Sequence, residues 1–364
     1  MSKCVTPLIS WYENNKRTLP WREEVSAYRV WVSEIMLQQT RVEAVKPYFQ
    51  RFMEAYPTIQ SLAGAQEEEL LKMWEGLGYY SRVRNMQKAA QVICERHGGQ
   101  MPDTYEELLE LPGIGSYTAG AISSIAFNRP VPAVDGNVLR VLARLTMDGA
   151  DIADAKVKKR VFEELSACMP KESGIFNQAL MELGATVCLP NGMPKCDICP
   201  WRDLCEARKA GRMMEFPYKS PKKARKIEEK TLFIIRDGER VLLHQRVDKG
   251  LLAGLYEFPM TEGTLSQQQA IETVREMGFA PLMIQKLPQA KHIFTHKEWH
   301  MTGYMLKVEP FDEMADMRGQ DLHIVSPKDT KDAYPIPSAF SAFTPYVGIA
   351  LTGEYIKTEL PQNQ

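Results

Sequence analysis

Leu111-Pro112-Gly113-Ile114-Gly115-Ser116-Tyr117-Thr118-Ala119-Gly120 decides the fold. It joins two helix-like stretches, Tyr105–Glu110 and Thr118–Phe127, and leaves only a short connection between them. Gly113 and Gly115 can both adopt the positive φ that such a connection demands, so a backbone hairpin between helices is expected. The amides that open the second helix then point outward unpaired, which suits them to an anion such as phosphate. On the glycines alone, a plain turn between packed helices is the simpler alternative.

Working outward, apolar residues recur at helical spacing from Pro7 to about Ala210, as in Val138, Leu139, Val141, Leu142 and Leu145, and this half reads as all-helical. Tyr218-Lys219-Ser220-Pro221-Lys222-Lys223-Ala224-Arg225-Lys226 then breaks the pattern with proline and a cationic run, the composition of an exposed linker. Beyond it, Thr231–Ile235, Val241–Gln245 and His300–Leu306 are β-rich, with a helix expected over Gln267–Met277, so the second domain is α+β. At 364 residues with 44% apolar content, the chain can fill two cores. The expected division is 1–216 for the helical domain, 217–230 for the linker and 231–364 for the α+β domain.

Charge is nearly balanced, 45 Lys+Arg against 46 Asp+Glu, so any nucleic-acid surface must be a local patch. No basic-then-apolar leader and no bilayer-length apolar run is present, and a soluble, cytoplasmic monomer with no membrane partner is expected. Of seven cysteines, Cys188, Cys196, Cys199 and Cys205 fall in one loop with gaps of seven, two and five residues. Four thiolates so close suit a metal site in a reducing compartment, and spacing alone leaves zinc and iron–sulfur both open.

Two carboxylates are placed for chemistry. Asp135, in Val134-Asp135-Gly136-Asn137, opens an amphipathic helix, where an N-cap role is the ordinary one. The helix dipole and nearby amides are also expected to hold it ionised. Glu34 shares a helical stripe with Trp31 and Leu37; a snorkelling surface Glu is the commoner fate, but apolar surroundings would raise its pKa towards neutrality. One carboxyl kept protonated and one kept ionised make the acid/nucleophile pair of glycoside chemistry.

The Leu111–Gly120 string resembles the helix-hairpin-helix of the endonuclease III and MutY superfamily. Leu19-Pro20-Trp21-Arg22, Met36-Leu37-Gln38-Gln39-Thr40 and Gly76-Leu77-Gly78-Tyr79-Tyr80-Ser81-Arg82 resemble MutY proteins in particular, and Glu34 separates these from their endonuclease III relatives. Leu251-Leu252-Ala253-Gly254-Leu255-Tyr256-Glu257-Phe258-Pro259 is similar to the signature of their Nudix-like C-terminal domains, while the glutamate cluster of a Nudix hydrolase is incomplete around Arg275-Glu276.

The resemblance implies a multidomain protein: an all-α helix-hairpin-helix glycosylase domain with an iron–sulfur loop, then an α+β Nudix-like domain. Its activity would be removal of adenine opposite 8-oxoguanine or guanine in double-stranded DNA. Glu34 would protonate adenine at N7 and Asp135 would stabilise or capture the sugar cation, with Tyr117 and Asn137 completing the catalytic set. Trp21, Arg22 and Gln178 would line the adenine pocket, Leu37 would also bind substrate, Gln39 and Tyr79 would wedge into the duplex, and Gly113 and Gly115 would meet phosphate. Phe294, Thr295 and His296 match the loop that reads 8-oxoguanine, with Thr where Ser is usual. Tyr117 stands where strand-cutting relatives carry a Schiff-base lysine, so base removal without strand cleavage is implied, with the phenol free to bond Asp135 or the sugar. The four cysteines would hold one four-iron four-sulfur cluster, although their first gap is one residue longer than the family's.

Overall fold

Apolar residues three and four apart in the N-terminal half form helices. In a computed structural model that describes residues 2–221, 224–247, 249–311 and 321–352, they run α1 Ser2–Asn15, α2 Pro20–Glu23, α3 Ala27–Leu37, α4 Val42–Ala55, α5 Ile59–Ala63, α6 Glu67–Met73, α7 Ser81–Arg96, α8 Tyr105–Leu109, α9 Ser116–Phe127, α10 Gly136–Thr146, α11 Ala155–Ser166, α12 Ser173–Thr186 and α13 Glu206–Lys209. Ser26 starts α3 by accepting from the Arg29 amide, and Met147 ends α10 at φ 54°. Contacts divide the chain into Met1–Gly64 with Asn85–Lys222, and Ala65–Arg84 with Lys223–Gln364.

In the first unit, α1, α10 and α12 bury Leu8, Tyr12, Val138, Leu142, Phe176 and Leu180, and Trp201 of the cysteine loop closes the same core. Helix α9 is buried nearly all round, as its small, apolar sequence Ala119-Gly120-Ala121-Ile122-Ser123 requires. A Cβ at Gly120 would collide with the Pro132 carbonyl, so glycine there lets the segment leading to Asp135 lie directly on α9.

The second unit is a mixed sheet of strands β1 Lys226–Asp237, β2 Arg240–Gln245, β3 Tyr256–Glu257, β4 Met260–Glu262, β5 Pro281–Lys286, β6 Ala290–Ile293, β7 Lys297–Val308 and β8 Leu322–Val325, with helix α14 Gln267–Glu276. Its main order is β3-β2-β1-β7-β5, and β1 and β7 pair in parallel. Leu232 and Ile234 of β1 face a core with Phe340 and Phe343, while Phe233 and Ile235 face Ala270 and Val274 of α14. Burial on both faces explains the unbroken apolar run.

Two boundaries differ from the sequence expectation. Lys226–Lys230 belong to β1 rather than to a linker, and cations at the end of the run read as linker composition are paired there: Lys226 with Glu228 at 3.3 Å and Arg225 with Glu298 at 3.4 Å. Residues 65–84, inside the expected helical domain, cluster instead with the C-terminal unit. Among the described residues, no helix is long and apolar enough to cross a membrane.

Candidate active site

The first unit contains a cleft of about 620 Å³, within the range of ligand pockets. Around it stand Trp21 and Arg22 from α2, Glu34 and Leu37 from α3, Gln39 from the following turn, Tyr117 from α9, Asp135 and Asn137 at the start of α10, and Gln178 from α12. Nine residues chosen from the sequence are thus brought to one place.

Glu34 is 7% exposed, and burial pushes its carboxyl up to about 7, opposed by a hydrogen bond from Tyr117 and reinforced by the charge of Asp135. Tyr117 Oη donates to Glu34 Oε2 at 2.5 Å, so the phenol serves Glu34 and not Asp135, one of the partners expected for it. Burial beside both acids pushes the phenol's own pKa well above its ordinary value, which keeps it a donor.

Asp135 is the N-cap of α10: one oxygen accepts from the Val138 amide at 2.8 Å and the other from Asn137 Nδ2 at 2.8 Å. Burial nevertheless outweighs these donors and the nearby Arg140, and the net shift is upward. The expectation of a carboxylate held ionised by the dipole is corrected to that extent: desolvation is the larger effect.

Sequence reasoning missed Glu182. This buried carboxylate on the cleft wall accepts from Arg17 Nε at 2.6 Å and Arg22 Nη2 at 2.9 Å, which holds its pKa low against burial. It lies one helical turn beyond Gln178, and that spacing was the available signal. The triad fixes the Arg22 guanidinium at the cleft, and Gln178 is oriented by Tyr12, whose hydroxyl donates to it at 3.1 Å.

The hairpin needs one positive φ, not two. Gly113 sits at φ 77°, and a Cβ there would come within 2.6 Å of Asn85 Cβ. Gly115 is extended, at φ −96°, caps α9 without a side chain, and has open space where a Cβ would stand. The first-turn amides of α9 therefore have no side-chain cap.

Cys188, Cys196, Cys199 and Cys205 line one cavity together with Arg144, Arg208 and Trp201. Arg144 Nη1 donates to Cys188 Sγ at 3.3 Å. Among the described residues, no three or more His, Cys, Asp or Glu side chains converge as the ligands of a single ion do.

In the second unit, Phe294-Thr295-His296 form the tip of the β6–β7 hairpin, closed by the Phe294 amide on the Lys297 carbonyl at 2.9 Å. Phe294 packs edge-on against Trp299, while Thr295 and His296 are exposed. Tyr79, also of this unit and 51% exposed, places its hydroxyl 2.9 Å from Thr295 Oγ1.

A helical domain with a glycine hairpin, a cleft holding a raised glutamate beside a helix-capping aspartate, and a following Nudix-like sheet define the DNA-glycosylase class. Residues 32–167 match the HhH-GPD superfamily of base excision DNA repair proteins, and residues 231–344 match the NUDIX domain. The chain is 38% identical to the adenine DNA glycosylase of Rattus norvegicus, over 83% of this chain and 70% of the relative. The corresponding figures for the adenine DNA glycosylase of Buchnera aphidicola are 32%, 84% and 87%. A trapped endonuclease III–DNA covalent intermediate superposes with a TM-score of 0.50 at 26% identity, covering 58% of this chain and 96% of that one. The chain belongs to the adenine DNA glycosylase family of base excision repair enzymes.

Proposed function

We propose that this enzyme hydrolyses the N-glycosidic bond of adenine opposite 8-oxoguanine or guanine, with Glu34 as general acid and Asp135 as the partner of the sugar cation. The observation that carries the reading is the pairing, in one cleft, of a Glu34 carboxyl pushed up to about 7 with an Asp135 anchored at a helix N-terminus. Near neutrality Glu34 still carries a proton to give to N7 of the departing purine. Asp135, bonded by amide N–H groups, faces the charge that develops on the sugar as the base leaves. Trp21, Leu37, Arg22 and Gln178 offer the base apolar walls and polar edges, with Glu182 keeping Arg22 in place.

The double-stranded DNA substrate would be held through phosphate at the uncapped start of α9, with Gly115 giving the backbone open access. Gln39 at φ 62° and Tyr79 at φ 48° both stand exposed, which leaves them accessible to a duplex. Tyr117 in place of a lysine leaves no amine on α9 to form an imine, so base removal proceeds without efficient strand cleavage. Thr295, Phe294 and His296 are the proposed readers of the oxidised guanine. We place the protein in the cytoplasm, DNA-associated and monomeric.

We assign the four cysteines to one four-iron four-sulfur cluster on their place beside a helix-hairpin-helix domain of this family. Cys188, Cys196, Cys199 and Cys205 line one cavity, and four thiolates from one loop are the ligand set such a cluster takes. Arg144 and Arg208 suit the negative charge of such a group. When bound it would pin the 188–205 loop. Anaerobically purified protein should contain iron and sulfide near four per chain; colourless, zinc-loaded, active protein would contradict the assignment.

The function is tested with a duplex carrying one A:8-oxoguanine pair, incubated with enzyme and then treated with alkali. Cleavage at the adenine position only after alkali is expected. Intact adenine, or cleavage without alkali, would refute the reading.

A further inference from the structure

We infer that Glu75 is a positioning residue for base reading: it ties the turn carrying Tyr79 to the C-terminal segment, and so sets the Tyr79 hydroxyl against Thr295. This rests on the proposed role of Thr295 as a reader.

Glu75 is completely buried, yet its carboxylate is fully engaged. It accepts from the Ile336 amide at 2.7 Å, from the Thr352 amide at 2.7 Å and from the Thr352 hydroxyl, and it pairs with Lys72 Nζ at 2.9 Å. Lys72 in turn donates to the Thr330 carbonyl. One residue of the 65–84 segment thereby grips backbone at two separated places near the end of the described chain. A buried ion pair gives little net stability over apolar packing, but its geometry can fix one arrangement among several.

After Glu75 the chain makes a stiff turn. Gly76 at φ 98° and Gly78 at φ 68° allow the tight path, and Tyr79 is held at φ 48°, where a bulky residue is strained. Arg82 Nη2 donates to the Leu77 and Gly78 carbonyls, each at 2.9 Å, and Trp74 Nε1 to Gly78 at 3.1 Å. Motion at Glu75 is therefore passed to Tyr79. On the other side, Phe294 packs on Trp299 and Trp299 on Phe340, a residue of the stretch that Glu75 grips between Ile336 and Thr352. The wedge tyrosine and the reading loop are backed by the same anchored segment.

The test uses the full chain with Glu75→Gln, which keeps the shape and loses the charge, and with Thr352→Val, which removes one donor and guards against misfolding of the first variant. Two readouts are taken: amide hydrogen exchange of residues 76–80 in DNA-free protein, and the ratio of single-turnover excision rates on A:8-oxoguanine and A:G duplexes. Faster exchange in that turn and a fall of about tenfold in the ratio are expected for Glu75→Gln, with a smaller change of the same sign for Thr352→Val. An unchanged ratio, or equal loss on both duplexes, overturns the inference. If the wild-type protein shows no preference, it is the proposed reading of 8-oxoguanine that fails, and the exchange rates alone judge whether Glu75 fixes the turn.

Discussion

Glu34 is costly to the protein that carries it. Its pKa lies above the ordinary carboxyl value, so the folded state binds the proton more tightly than the unfolded chain does, and stability falls as pH rises from the ordinary value through about 7. A displacement from 4.5 to about 7 corresponds to about 3 kcal/mol at full ionisation. Glu34→Gln escapes that loss. Its melting temperature should exceed the wild type's by several degrees at pH 8, with the gap narrowing towards pH 5; equal melting at both pH values would show that the carboxyl is not strained by burial. The stripe of Trp31, Glu34 and Leu37 made a buried glutamate legible in the sequence, since an acid among apolar residues is rare. The partner of Tyr117 was not legible: Asp135 or the sugar was expected, and only the packing of α9 against α3 brings the phenol to Glu34.

Elements, rather than single side chains, aim the two carboxylates. Asn177 of α12 accepts from the Ala133 amide at 3.1 Å and donates to the Val131 carbonyl at 2.8 Å, stitching down the strand-like run that delivers Asp135 to the head of α10. The hairpin before α9 depends on Gly113 for its path and on Gly115 for its openness. Gly113→Ala meets both a positive φ and Asn85, and should cost about 1–3 kcal/mol of stability in denaturant unfolding. Gly115→Ala should cost less, about 0.5–1 kcal/mol for a poorer N-cap, and instead weaken DNA binding. Equal destabilisation by both would mean the hairpin geometry is misassigned. The sequence showed the hairpin but treated its glycines alike, since a glycine needed for φ and one needed for access look the same until the backbone is seen.

At the scale of the molecule, helical periodicity and the β-rich segments marked two units, and the Nudix-like signature gave the second its class. What composition could not show is that residues 65–84 belong with the C-terminal unit, because Lys72 and Glu75 find their partners more than 250 positions away. That interruption bears on how the chain can be cut. Truncation after Lys222 removes the backbone partners of Lys72, Glu75 and Arg84 and leaves a buried carboxylate without its amide donors. The truncated chain should therefore melt clearly below the full protein and lose excision on both A:8-oxoguanine and A:G. A truncated protein of full stability would mean residues 65–84 do not depend on the rest of their unit.

The pH dependence of single-turnover adenine release tests most directly whether adenine leaves with a proton from Glu34. The wild-type rate should fall along an alkaline limb with a midpoint near 7 as the Glu34 proton is lost, and Glu34→Gln should release adenine at least about a hundredfold more slowly, in keeping with the removal of a general acid. A limb unchanged in position with Glu34→Gln still turning over near the wild-type rate would contradict that role.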